Sequence, residues 1–299
     1  MGRRFALMLS LAAAALFVSG TALAAAAHDL AFWRAVVRDR YTPPPGSDVS
    51  TLANELIDML ASPDPEARDE IAYSTLASWI YQKKIVSAGA LRSMTDRLLT
   101  NLTVGVGERD NDSVFRRSFS ALTLSVIVAR DNADPFLDAS EWRRIEGAAL
   151  AYLAAERDVR GYEPEKGWMH SAAHTADLLK FLGRSRFLEP ADQPRILDAV
   201  GAKLGTSPVV FSFGEDERFA RALLSLVART DFDEAGFAAW VKRTKPAVPA
   251  RSAIARLQAI QNWKNVLAKL EVLLSNDPQP SDPAAAARTA LRQELRELF

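Results

Sequence analysis

Apolar residues along this chain recur at intervals of three and four almost everywhere after Val49, which is the period of one helix face. A helix is predicted over 66–82, with Ile71, Leu76, Trp79 and Ile80 on its apolar side. Further helices are predicted over 88–102, 112–130, 139–156, 168–182, 193–204 and 215–228. The gaps between them carry Gly, Pro, Asp and Asn, which stop helices or start turns. A short segment, 30–40, precedes a rigid break at Pro43-Pro44-Pro45-Gly46. Residues 251–274 read as one long helix, with Ile254, Leu257, Ile260, Trp263, Val266 and Leu270 in register. A linker rich in proline and polar residues separates it from a terminal helix at 284–299. Val209-Val210-Phe211-Ser212-Phe213 is the one strand-like run. Alone it builds no sheet, so it reads as an extended linker, and nothing alternates strand with helix.

Four of the predicted helices start alike. Arg68, Arg117, His170 and Arg218 each stand near a helix start, followed by small residues and then large aliphatics, and lie 49, 53 and 48 residues apart. One helix pair per such period is the signature of a solenoid. The expected fold is therefore all-α, stacked antiparallel helix pairs forming a HEAT-like α-solenoid, with an α/α toroid-like bundle as the alternative. The expected organisation is a helical-repeat domain over 49–245 and a C-terminal helical extension over 246–299 that caps the stack or offers a partner surface. Ahead of them come a signal peptide over 1–24 and an N-terminal segment with its Pro-rich break over 25–48.

The signal peptide is read from Arg3-Arg4, the apolar run that follows, and Ala22-Leu23-Ala24, which fits small-x-small cleavage. The run is shorter than the roughly 20 residues of a membrane span. An uncleaved N-terminal anchor is the other reading. The expected location is periplasmic or secreted, with no membrane span after signal cleavage. With Arg3 and Arg4 removed, the 37 basic and 37 acidic residues become 35 against 37. Such a balance gives no concentrated basic face, so no nucleic-acid role is expected. The absence of cysteine excludes disulfides, lipoprotein anchoring and cysteine nucleophiles. Stability has to come from apolar burial.

Three ordered blocks carry a resemblance. They are Arg68-Asp69-Glu70 through Tyr73-Ser74-Thr75 to Trp79-Ile80, then residues 112–120, then Glu156-Arg157-Asp158-Val159-Arg160-Gly161-Tyr162 with Lys166-Gly167-Trp168-Met169-His170-Ser171 and His174-Thr175-Ala176-Asp177; Glu215-Asp216-Glu217-Arg218 closes the set. Together they resemble the bacterial family of domain of unknown function 2785 over residues 32–241, leaving the segments before and after outside the pattern. The resemblance implies an all-helical bacterial domain with no assigned activity, so no catalytic residue carries over from it.

The best candidate site lies on the predicted helix opened by Gly167-Trp168-Met169-His170. At about 100° per residue, His174 falls about 40° and Asp177 about −20° from His170, and Phe181 continues the line. Two histidines and a carboxylate on one face suit zinc with an open position for water, and Glu163, Glu165 or Asp158 could serve as base. The blander reading is a polar seam. His170 stands where three arginines stand, and these pair along the stack with acids such as Asp69, Asp112, Asp158 and Glu217. Arg160 offers either an anion clamp or, more simply, a loop salt bridge to Asp158; Trp168 offers a stacking platform or plain packing, which is the more common role at a helix start. Gly-x-Ser-x-Gly, phosphate-loop and dinucleotide motifs are absent from the sequence. The leading functional reading is thus an exported helical-repeat binding or interaction protein for an unknown protein or small ligand, without a cofactor. The other is a metal-dependent hydrolase of the cell envelope using zinc at His170, His174 and Asp177. Whether the chain is an enzyme, and its oligomeric state, stay open at this point.

Overall fold

Side-chain oxygens set where many of the helices begin. The computed structural model describes residues 28–243, 252–276 and 282–298, so the expected signal peptide lies outside the described residues. Asp29 accepts from the Phe32 N–H to open α1 (Leu30–Arg38), and Asp48 accepts from Ser50 and Thr51 to open α2 (Val49–Met59). Ser87 caps α4 (Ala88–Asn101), Asp138 and Glu141 form a capping box on α6 (Ala139–Ala155), and Ser252 caps α11 (Ala253–Ser275). Between α2 and α4 one continuous helix is wound in two ways. It is π-helical over Glu66–Tyr73, α-helical over Ser74–Ala77 (α3) and π-helical again over Ser78–Gln82. The series is completed by α5 (Ser113–Ala133), α7 (Ser171–Leu182), α8 (Gln193–Thr206), α9 (Glu215–Val227), α10 (Glu234–Arg243) and α12 (Asp282–Leu298).

The helices form two rows. The 66–82 helix, α5, α7, α9 and α11 pack side by side in that order, and α2, α4, α6, α8 and α10 pack in order behind them. Within a row the neighbours run parallel, because successive contacts climb both helices together. Ser118 meets His174 and Asn132 meets the Phe181 carbonyl between α5 and α7, and Asp177 meets Arg218 while Arg184 meets Ser225 between α7 and α9. The back row shows the same register in ion pairs: Arg97–Asp58, Arg92–Glu141, Arg144–Asp96, Arg143–Asp192 and Arg243–Asp198. Most of these are exposed, so each contributes at most about 1 kcal/mol, and they record register more than they stabilise. The stabilising layer lies between the rows, where Trp33, Leu56, Trp79, Phe115, Trp142, Val200 and Phe219 are buried in one continuous core. The long α11 closes the front row against α9 and α8, and α12 lies on α10 and α11.

One sequence expectation needs correction, and another is given a partner. The helix predicted from 168 starts only at Ser171, and the residues before it form an antiparallel hairpin, β1 (Tyr162–Glu163) with β2 (Gly167–Trp168), pairing Tyr162 with Trp168. The expected linker 209–213 is non-helical and joins no sheet. It is held instead by Asn262 of α11, whose amide accepts from the Phe211 N–H and donates to the Val209 carbonyl, standing in for a neighbouring strand. The chain is otherwise all-helical among the described residues, and none of their helices is long and apolar enough to cross a membrane.

Candidate functional site

The exposed face of the front row holds a cleft of about 750 Å³, within the usual range for small-molecule sites. Asp69, Tyr73, Ala77 and Tyr81 form one wall. Their strict spacing of four would drift roughly 40° per step on an α-helix and leave the face within three steps. The wider π-turns at both ends of this helix take that drift back, which is why all four reach the cleft. Phe119, Leu122 and Val126 of α5 form the base, and His174, Asp177, Lys180 and Phe181 of α7 the opposite side with Arg218 of α9.

Trp168 and Phe213 overhang the opening. Trp168 is 41% exposed and Phe213 49%, with ring centres 6.4 Å apart and planes at 76°. Trp168 stacks on the His170 imidazole at 4.3 Å, and Tyr162 meets it at 4.7 Å. Buried bonds hold the hairpin that carries it. The Arg68 guanidinium, covered by the Phe115 and Phe119 rings, donates to the Lys166 carbonyl at 2.7 Å, to Asp69 at 2.7 Å and to the Ser62 carbonyl at 2.9 Å. The Met169 and His170 N–H groups donate back to the Gly161 and Arg160 carbonyls. These bonds turn His170 into the left-handed region (φ 48°), where it precedes the helix rather than belonging to it. Gly161 is required because a Cβ there would stand 2.3 Å from the Phe213 ring.

Hydrogen-bond partners determine the protonation of the two histidines. His170 Nε2 lies 3.0 Å from the Phe213 carbonyl, which only accepts, so Nε2 carries the proton. Ser118 has one hydroxyl proton and lies against both the Met169 carbonyl and His174 Nδ1. The carbonyl takes that proton, so His174 Nδ1–H donates to Ser118 Oγ at 2.8 Å, and the neutral ring presents Nε2 as an acceptor. Burial pushes the His170 pKa down to about 4, and burial, helped by the neighbouring His170, holds His174 well below the ordinary imidazole value. Asp177 is held by Arg218 and by Lys180 at 3.2 Å. Burial raises Asp69 to about 6 against the pull of Arg68, and burial with the Asp177 charge raises the Tyr73 phenol to about 12, so Tyr73 stays a proton donor.

Of the candidate residues, Trp168, His170, His174 and Asp177 come together in the cleft. Arg68, Asp112, Arg117, Asp158 and Arg160 lie outside it and hold its frame. Arg117 is buried on Glu156 at 2.6 Å, not on Asp112 or Asp158. Asp112 takes Lys166 at 2.6 Å, and Asp158 takes Arg160, which also binds Glu163 at 2.6 Å. Arg160 is thus a loop salt bridge, and Trp168 packs on His170 and Tyr162 while staying 41% exposed. Arg68 pairs with its own neighbour Asp69, Arg117 with Glu156 at the end of α6, and Arg218 with Asp177 of α7, so the three arginines make no regular ladder. Tyr73, Lys180, Tyr81 and Phe213 were not foreseen as site residues. The spacing of 69, 73, 77 and 81 was a signal, but a helix of uniform pitch hides it.

The expected zinc face does not form. Among the described residues no three His, Asp or Glu side chains converge on a point that could hold a metal ion. The helical angles assumed His170 was on the helix, and its left-handed backbone removes it from that line. The His170 and His174 rings stand 5.7 Å apart at 84°, and Asp177 is occupied by two cations. Of the proposed bases, Asp158 and Glu163 are both engaged by Arg160.

A family model described as "Protein of unknown function (DUF2785)" matches residues 102–274. The match begins later than the resemblance drawn over 32–241, so the Asp69–Tyr81 wall lies before it, and it reaches through most of α11, which the resemblance left out. No curated protein and no solved structure matches the chain.

Proposed function

The chain belongs to the DUF2785 family, and from its cleft we propose that it is an exported helical-repeat protein that binds a small ligand on the front face of α7. The architecture we infer is a HEAT-like stack of helix pairs. It is supported by inter-helix bonds that recur at spacings near one helix pair, such as Arg143–Asp192, Arg92–Glu141 and Asn132 to the Phe181 carbonyl, each 49 residues apart. Export to the periplasm or beyond is supported by the basic start, the apolar run and Ala22-Leu23-Ala24.

The observation that carries the binding reading is the pairing of an open aromatic ring, Trp168, with a wall whose imidazoles are neutral and already oriented by Ser118 and the Phe213 carbonyl. A histidine held far below neutral pH is a weak general base but a dependable hydrogen-bond acceptor. The alternative of a metal-dependent hydrolase draws no support from a set of ligands that do not converge. A thermal-shift screen of sugars, amino acids, peptides and nucleotides on the full chain and on Trp168→Ala tests the proposal. A compound that raises the melting temperature of the first and not of the second supports it. If no compound separates the two proteins, the cleft is not a binding site.

A further inference from the structure

The chemistry of the cleft narrows the ligand class. The charged groups lining it are two acids, Asp69 and Asp177, and two bases, Lys180 and Arg218. All are already engaged: Asp177 holds both bases, and Asp69 holds Arg68 from behind. Burial keeps both histidines neutral, and their bonds fix which nitrogen carries the proton. Asp177 is a single carboxylate shared by two cations, so a charged ligand would meet groups that are already bonded, with one positive charge unbalanced, and an anion would compete with Asp177 for Arg218 and Lys180. What the cleft offers instead is a mixture of donors and acceptors close together. Tyr73 donates, His174 Nε2 accepts, and the bound carboxylates retain lone pairs. A hydroxyl group, which donates once and accepts twice, is the ligand group that suits such a surface.

The mouth adds the second requirement. Trp168 and Phe213 meet at a steep angle and leave about half of each ring open to water. Rings so exposed, beside polar walls, match a ligand with a flat apolar C–H face and a polar rim. A pyranose has both. The volume of about 750 Å³ leaves room for a short oligosaccharide. Resting on the binding reading above, we propose that the cleft binds a short oligosaccharide, with one sugar ring against Trp168 and its hydroxyls on Tyr73 and His174.

The molecule contains its own reporter. Five of its six tryptophans, Trp33, Trp79, Trp142, Trp240 and Trp263, are buried, and the exposed one is Trp168. Acrylamide quenching of tryptophan fluorescence thus reads Trp168 selectively. The full chain is titrated with cellobiose, maltose and N,N′-diacetylchitobiose, and separately with tri-alanine and inorganic phosphate. The expected result is saturable protection of Trp168 by at least one disaccharide, with affinity reduced about tenfold in Tyr73→Phe and Phe213→Ala, the size expected from losing one polar or ring contact. Circular dichroism and the melting temperature of both variants verify that they fold. Protection by tri-alanine or phosphate and by no disaccharide overturns the saccharide assignment while leaving the binding reading intact. No protection by any probe up to about 20 mM, a concentration that detects even millimolar affinity, overturns both. Disaccharide binding unchanged in both variants places the sugar elsewhere and overturns the assignment of this cleft.

Discussion

Replacing Arg117 by Met leaves the Glu156 carboxylate buried without its cation. Arg117 is 0% exposed and Glu156 3%, and the guanidinium Nε stands 2.6 Å from the carboxylate, with a second bond at 3.3 Å. Methionine keeps most of the apolar stem but none of the donors. Breaking a buried pair from one side costs about 3–5 kcal/mol, mostly because the other charge stays in a place where water cannot reach it. The same substitution removes bonds to the Val104 carbonyl and Ser113, each about 1 kcal/mol. Glu156→Gln is milder, since its amide oxygen still accepts the Asp158 N–H. In the double variant neither member of this pair is stranded, although buried Lys203 loses the Glu156 charge, so the two losses do not add. We expect a coupling energy of about 2 kcal/mol or more in a double-mutant cycle measured by urea denaturation. Set against a total stability of about 5–15 kcal/mol, Arg117→Met removes a large share. The effect extends to the cleft, because Glu156 holds the Asp158 N–H, and Asp158 holds the Arg160 side chain beside the hairpin of Trp168. Acrylamide should therefore quench Trp168 more readily in Arg117→Met. A cost below about 1 kcal/mol, or additive losses, would refute the claim that this pair supports the loop.

Three other expectations follow from the same structure. On acidification from pH 6.5 towards 4, an unfolded chain takes up a proton on its histidines that folded His170 refuses, so stability falls across that window, by at most about 1.4 kcal/mol per pH unit for each such group. Asp69 acts in the opposite direction. With its folded pKa raised to about 6 it favours the folded state increasingly as pH falls from 6 towards 3.8. His170→Gln should therefore flatten the acid loss seen in melting temperatures between pH 7 and 4.5, and Asp69→Asn should steepen it; identical profiles for all three proteins would contradict these shifts. Gly161→Ala drives a methyl into the Phe213 ring and should cost about 1–3 kcal/mol in thermal unfolding, largely recovered in the double variant with Phe213→Ala, and a lack of recovery would mean the clash lies elsewhere. Asn262→Leu strands the Phe211 N–H and leaves the Val209 carbonyl to Ser207 alone, and a chemical-denaturation loss of about 1–3 kcal/mol is expected, whereas a neutral result would show that the 209–213 linker needs no anchor.

Much of the architecture was legible in the order of residues, because it rests on local rules. Asp29, Asp48, Ser87 and Asp138 cap helices within three residues of themselves, and the three-four spacing of apolar positions marks the buried face of each. The line His174, Asp177, Phe181 on one face of α7 is local geometry of the same kind. What the tertiary structure alone decided concerns groups whose partners lie far along the chain. Arg117 had Asp112 and Asp158 within the range of guesswork but chose Glu156, because α5 and the end of α6 are the parts that exclude water around it. His170 left its helix because the Met169 and His170 N–H groups found the carbonyls of Gly161 and Arg160 across a hairpin whose two-residue strands carry no detectable alternation. Asp69, Tyr73, Ala77 and Tyr81 share a wall because π-turns rephase their helix, and that winding depends on what packs against it. Periodicity is a property of neighbours in sequence and can be read there. The partner of a buried charge and the phase of a strained helix depend on which surfaces meet and keep out water, and only the folded chain sets that.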